Sequence, residues 1–301
     1  MEIRVLRYFL EAARKQNMSK AAAQLHVTQP TLSRQIKDLE EEMGHLLFHR
    51  GNHSISLTPE GEIFYQRALA IVGMVDRTLA EFEAMQDFQG GDISIGCAES
   101  EGMHLIAKTA KHLRQAYPHT TFHLYSGNFE LVTDHLNKGL LDFALVVQEM
   151  DTSSYQILEV PYQDTWGLLM PAHDALAEKE SLEITDLLDL PLIVSRQGFT
   201  DEMPNPIKEQ EEQLQIVATY DLIYNASLFV KEGLGYALTF DKLVHTGPEN
   251  GLVFRPILPQ ISSPMKLIWS KQQPLSQAAQ VFLSTFQDLL VSLHNTKIPI
   301  K

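Results

Sequence analysis

The stretch Ser19 to Glu40, SKAAAQLHVTQPTLSRQIKDLE, constrains the fold most, because it reads as two short helices joined by a tight turn. Ser19 is a natural N-cap, since its hydroxyl oxygen can accept from the free N–H groups of a following helix. Ala21, Ala22 and Leu25 form a small apolar face that lets a second helix approach closely. The pattern breaks at His26-Val27-Thr28, where Thr28 or Gln29 can cap a new helix and Pro30 suits its first position. Leu32, Ile36 and Leu39 recur at helical spacing and face inward. Gln29, Thr31, Ser33, Arg34 and Lys37 remain on the outer side. Polar and cationic side chains at a helix start are what reaches base edges and phosphates in a major groove.

The flank LLFHRGNHSISLTPEG supplies a basic, polar loop between two short extended pieces, which suits a wing beside the second helix. Helix pair and wing together resemble the N-terminal domain of the LysR family of bacterial transcriptional regulators. The resemblance is carried by Ser19, Ala21, Ala22, Leu25, Thr28, Gln29, Pro30, Ser33, Ile36, Leu39, Glu40, Gly44, Leu47, Phe48, Arg50, Leu57, Thr58 and Gly61. It implies that Ser19, Gln29, Thr31, Ser33 and Arg34 belong to the DNA-facing surface, with Lys37 and Arg50 at the backbone. His53 stands where members of the family usually carry a wing arginine. The implied partners are a double-stranded DNA operator, an unidentified small-molecule effector and further copies of the chain in a homodimer or homotetramer. RNA polymerase is a further candidate partner.

The 301 residues exceed one small domain, and 44% hydrophobic content is ample for real cores. No apolar run approaches the roughly eighteen residues that span a bilayer, and the charged, amphipathic start is unlike a secretory signal. A single cysteine, Cys97, excludes an intramolecular disulfide and agrees with a reducing compartment. The chain therefore reads as a soluble, cytoplasmic protein. A net charge of −14 looks wrong for a DNA binder until it is partitioned. Residues 1–58 carry eight Lys/Arg against six Asp/Glu, so that segment alone is positive. An acidic remainder repels non-specific nucleic acid. The small basic excess makes dimeric binding necessary for useful affinity.

Residues 1–58 are thus expected to form a winged helix-turn-helix domain, opened by a helix over residues 2–16. Thr58-Pro59-Glu60-Gly61 opens a longer helix reaching about Asp87, with Thr58 as cap and Glu60 and Glu62 at the positive end of the dipole. Such a helix is about 45 Å long at 1.5 Å per residue. Phe64, Ala68, Ile71, Val75, Leu79 and Phe82 step by three or four along it, a coiled-coil seam with one irregular step. Phe64, Ile71, Val75, Leu79 and Phe82 are its expected dimer contacts, and the family resemblance implies that this 59–89 linker pairs two subunits. Gln89-Gly90-Gly91 marks a boundary. Beyond it strands and helices alternate, the signature of mostly parallel sheets with crossover helices. The resemblance implies a two-lobed α/β effector domain over 90–301, related to periplasmic binding proteins. Lobe 1 takes about 91–162 and 271–301 and lobe 2 about 163–270, with crossings near 161–163 and 268–270. Gly233 and Gly235 match the family's helix-to-strand turn, and Phe240 replaces a common proline.

Ligands in open α/β sheets bind outside the C-terminal strand ends, near helix N-termini. That selects Glu99, Ser100 and Glu101 after the first strand, Gln148 after the third, and Ser195, Arg196 and Phe199 after the fifth. Asn225 near a helix start and Thr239 at a strand end complete a ring. Ser100 leads, because a hydroxyl at a helix start can hold an oxyanion. Glu99 and Glu101 flank it, so a cationic or polyhydroxylated effector is as credible as an acid. The alternative reading is a small-molecule enzyme or solute-binding protein with an N-terminal assembly module. No base neighbours Cys97, no metal-ligand motif gathers the twelve histidines, and no Gly-rich phosphate loop occurs. The expectation is no catalytic residue, no metal and no cofactor.

Overall fold

The computed structural model describes residues 1–51, 54–84, 88–127, 129–147, 153–196, 204–247 and 249–295. They form two compact units, Met1–Gln86 and Asp87–Lys301.

The first unit begins with α1 (Ile3–Lys15), which buries Val5, Leu6, Phe9, Leu10 and Ala12. It stops at Gln16, which takes a left-handed conformation. Next comes α2 (Met18–Gln24), whose cap is Asn17 and not Ser19: the Asn17 side chain accepts from Lys20 N at 3.0 Å. Ser19 is already inside the helix and exposed, because asparagine one turn earlier satisfies the same free donors. Helix α3 (Gln29–Met43) is capped by Thr28, which accepts from Thr31 N. It buries Leu32, Ile36 and Leu39, and ends at left-handed Gly44. Strands β1 (Phe48–Arg50) and β2 (Ile55–Leu57) pair antiparallel as the wing. Helix α4 (Pro59–Ala84) follows, with Thr58 Oγ1 accepting from Gly61 N at 2.9 Å. A side chain at Gly61 would place its Cβ 2.1 Å from Leu47 O, so only glycine lets α4 start against the wing.

Phe64 corrects the expected seam. Its ring meets Phe9 edge-on at a centroid distance of 5.0 Å, and Ala68 and Val72 follow it into the helix-turn-helix core. The first turns of α4 therefore serve this core, and the unpartnered apolar residues lie further along. Glu40 is a second surprise. Its buried carboxylate accepts from Leu47 N at 2.9 Å and Phe48 N at 3.1 Å through Oε1, and from Arg50 Nη2 at 2.9 Å through Oε2. It fixes the turn between α3 and β1.

The second unit runs β3 (Asp92–Cys97), α5 (Met103–Ala116), β4 (Thr121–Ser126), α6 (Phe129–Asn137) and β5 (Phe143–Val146). Then follow β6 (Tyr155–Pro171), β7 (Pro191–Ser195), α7 (Asn205–Lys208), β8 (Gln215–Tyr220), α8 (Ile223–Lys231) and β9 (Tyr236–Phe240). The chain closes with β10 (Leu252–Pro256), β11 (Ser262–Ser270) and α9 (Gln277–Asn295). The strand order is β4-β3-β5-β11-β6-β9-β7-β8, with β10 also on β6. The sheet is mixed where a mostly parallel one was expected. Two parallel sets, β4-β3-β5 and β9-β7-β8, are joined by β11 and β6, which are antiparallel to each other and to their neighbours. The β6–β11 register shifts between Pro264 and Met265, opposite Gln163 and Val160. Lys266 already pairs with Val146, so the return into the first half falls at 264–265, a few residues before the expected 268–270. Helix α9 seals that half by burying Phe282 and Phe286, with Phe282 5.2 Å from Phe143.

Removing the Glu40 carboxylate strands two buried N–H donors and leaves Arg50 unpaired. We expect Glu40→Ala to destabilise the first unit by roughly 2–4 kcal/mol. Urea unfolding followed by far-ultraviolet circular dichroism tests this. Fluorescence of Trp166 and Trp269, both in the second unit, should report an unshifted transition.

Candidate functional site

In the first unit, Asn17, Ser19, Gln29, Ser33, Arg50 and Ser54 line one polar recess where α2, α3 and the wing meet. The turn after α2 and the Thr28 cap bring the start of α3 there. Gln29, Thr31, Arg34 and Lys37 are exposed, and Ser33 is half-buried. Thr31 Oγ1 lies 2.7 Å from Thr28 Oγ1, within the cap. Lys37 pairs loosely with Glu41 at 3.3 Å, both exposed. Arg34 enters no ion pair with another of the described residues. Arg50 is held by Glu40, so its guanidinium is positioned but partly neutralised. His53 lies outside the described residues. The arrangement offers rigid hydrogen-bonding groups and cations on one helix start, which suits a nucleic-acid groove.

In the second unit a cleft of about 70 Å³ opens where the C-terminal ends of β3, β7 and β9 converge, and Cys97, Glu99, Trp166, Ser195, Tyr220 and Thr239 help to line it. Glu99, Ser195 and Thr239 were expected in such a ring, and the fold brings them together. Glu99 Oε2 accepts from Ile223 N at 2.7 Å, so a carboxylate carried after β3 occupies the N-terminus of α8. Burial pushes the Glu99 pKa up, and that N–H partly holds it down. Trp166 stands edge-on to Phe240 at 4.5 Å, with its Nε1–H donated to Ser263 Oγ. The Tyr220 hydroxyl donates to Leu238 O. Thr239 Oγ1 is buried near that hydroxyl without the geometry of a hydrogen bond. Burial pushes the Cys97 thiol up to about 11, which makes it a poor nucleophile.

Ser100 corrects the leading expectation. It is buried away from the cleft lining, accepts from Gly102 N at 3.0 Å and donates to Asp164 Oδ2 at 2.6 Å. Its hydroxyl ties the β3–α5 turn to β6 and is not offered to a ligand. Glu101 is instead beside His104 at 3.1 Å, and Arg196 is exposed, 3.7 Å from Asp221. Asn225 is exposed on α8 and outside the lining. Gln148 and Phe199 lie outside the described residues. The sequence reading missed Asp164, Trp166, Tyr220, Asp221 and Phe240. A usable signal existed for Asp164, an isolated acid inside an otherwise strand-like run. Among the described residues no group of three His, Cys, Asp or Glu could hold a metal, and no helix is long and apolar enough to cross a membrane.

Comparison with known proteins agrees with this geometry. Residues 3–62 match the family model described as bacterial regulatory helix-turn-helix protein, lysR family, and residues 86–290 match the LysR substrate binding domain. The chain belongs to the LysR family: it is a DNA-binding transcriptional regulator with a C-terminal effector-binding domain, and not an enzyme. The HTH-type transcriptional regulator YcgK of Bacillus subtilis is 30% identical over 248 residues, 79% of this chain and 68% of its own length. The hca operon transcriptional activator HcaR of Escherichia coli is 28% identical over 300 residues, 97% of this chain and 99% of its own. The same fold occurs in crystals of the LysR-family regulator CbnR, with a TM-score of 0.75 at 19% identity, covering 96% of this chain and 99% of that one. Full-length CbnR complexed with its target DNA gives 0.73 at 20%, covering 97% and 99%.

Asp164 is only 1% exposed and its Oδ1 has no hydrogen-bond partner among the described residues. Burial raises its pKa from 3.8 to about 6, against the opposing Ser100 hydrogen bond. The folded state therefore holds this proton more tightly than the unfolded chain. Its stabilising effect is full below about pH 4 and is lost as pH rises through about 6. We expect Asp164→Asn, which cannot ionise, to gain on the parent by roughly 2–3 kcal/mol between those limits, read from urea midpoints across the pH range.

Proposed function

We propose that this regulator acts as a homodimer or homotetramer on a double-stranded operator, with transcription modulated by a small molecule in the cleft between β3, β7 and β9. The observation that carries the reading is the pairing of an exposed polar and cationic surface on α3 with exposed apolar residues on α4. Gln29, Thr31, Ser33 and Arg34 read bases, with Ser19, Lys37, Arg50 and the wing position His53 at phosphates. Leu79 and Phe82 are 57% and 66% exposed, an unfavourable exposure for a lone chain that a second copy of α4 relieves. Ile71 and Val75 continue this seam, while Phe64 is already used inside its own unit. The structure of CbnR with its target DNA supports the operator role by likeness of fold. RNA polymerase is the further partner such a regulator addresses, and a cytoplasmic location follows from that work.

Dimerisation and DNA affinity are coupled, because the second half-site contact becomes intramolecular once two recognition helices are joined. Arg34→Ala should weaken binding to DNA upstream of the protein's own gene by about 1–3 kcal/mol, with folding unchanged. Fluorescence anisotropy at several salt concentrations measures it; undiminished binding removes Arg34 from the interface. Leu79→Asp places a carboxylate in each half of the seam. We expect a lower sedimenting mass or a DNA affinity reduced at least about tenfold. Both quantities unchanged would show that α4 packs otherwise.

A further inference from the structure

A helix N-terminus is the ordinary place for a ligand carboxylate in an α/β cleft, since its free N–H groups and dipole favour an anion. In this chain that place is taken. The start of α8 receives the protein's own carboxylate, Glu99 Oε2, at 2.7 Å from Ile223 N. Glu99 Oε1 makes no hydrogen bond or ion pair with a described residue.

The charge around the cleft points the same way. Among its described lining residues are two carboxylates, Glu99 and Asp221, and no Lys, Arg or His. Of the flanking cations, Arg196 lies against Asp221 at 3.7 Å and Lys242 acts on Asp164. A carboxylate ligand would meet Glu99 as a like charge with no lining cation to offset it. An ammonium group would meet a half-buried carboxylate with one oxygen free to accept, a partner for a charge-assisted hydrogen bond. Burial has raised the Glu99 pKa, and a ligand cation supplies the compensation that the lining lacks. Trp166 and Phe240 add aromatic rings suited to an apolar or cationic group, and Thr239 Oγ1 is a buried hydroxyl with no hydrogen-bond partner among the described residues.

We propose that the effector is a small amphipathic amine, its cation held by Glu99 and its apolar part against Trp166 and Phe240, and not a carboxylic acid. This rests on the reading of the cleft as the effector site. Calorimetric titration of the full chain with benzylamine, benzyl alcohol and benzoate separates the two claims, and the comparison on the parent needs no variant. Benzylamine should bind at least about tenfold more tightly than the other two, a difference of about 1.4 kcal/mol. That advantage should vanish in Glu99→Gln, whose amide oxygen can still accept from Ile223 N. It should also be lost in the cleft-filling variant Leu243→Trp, or in Leu222→Trp if the first does not fold. Benzoate binding as tightly as benzylamine, and lost on filling the cleft, overturns the amine and leaves the site. Binding that survives filling, or no binding by any of the three, overturns the site together with its ligand class.

Discussion

Strand β6 is the constraint on which the second unit depends. It runs unbroken from Tyr155 to Pro171 and carries β11 along most of its length, then β9 and β10 on its later part. Because both parallel sets attach to this antiparallel pair, their strand ends are carried to a common region, and the cleft forms there. A continuous strand has little freedom to bend except where its ladder is interrupted. The interruption falls at Pro264/Met265, opposite Gln163, and Asp164 stands beside it. A buried acid at that point is costly unless protonated or hydrogen-bonded, and Ser100 supplies the bond. Ser100 thus anchors the β3–α5 turn to the strand shared by both halves.

The first unit solves a different problem. Three short helices and a two-stranded wing have little apolar volume, so its core relies on the aromatic group of Phe9, Phe48 and Phe64. The third ring comes from α4. That helix divides its labour along its length: Phe64, Ala68 and Val72 complete the local core, while Leu79 and Phe82 remain exposed. Glu40 performs the complementary polar task, closing the α3–β1 turn on two backbone donors and holding Arg50 at the recess edge. The shape of the polar recess therefore depends on a buried carboxylate behind it.

The local elements could be read from residue order, but only Glu99, Ser195 and Thr239 among the described residues of the expected effector ring line the cleft, and the errors share one cause. Caps and helix faces depend on residues within one turn of each other, and Thr28, Thr58, Leu32, Ile36 and Leu39 behave as their spacing indicates. Even there, Asn17 and Ser19 compete for one cap and local pattern does not rank them. Ser100 and Glu99 are adjacent, yet the first turns to Asp164 and the second to Ile223. Both partners are distant in the chain, so no local rule can choose between them. Strand β10 follows the same rule, since a run bounded by prolines becomes a strand only by pairing with β6.

By itself the sequence determined the class of the protein: a helix pair with its caps, a wing, a long amphipathic helix, and alternating strands and helices with a positive N-terminal segment. Those features follow from spacing and local hydrogen bonding, which are written in consecutive residues. Only the tertiary structure decided which hydroxyl is free, which carboxylate faces the cleft, and that the anion site on α8 is already filled from within. These outcomes depend on contacts across 64 and 124 residues, where burial and the pairing of distant polar groups outweigh any local preference.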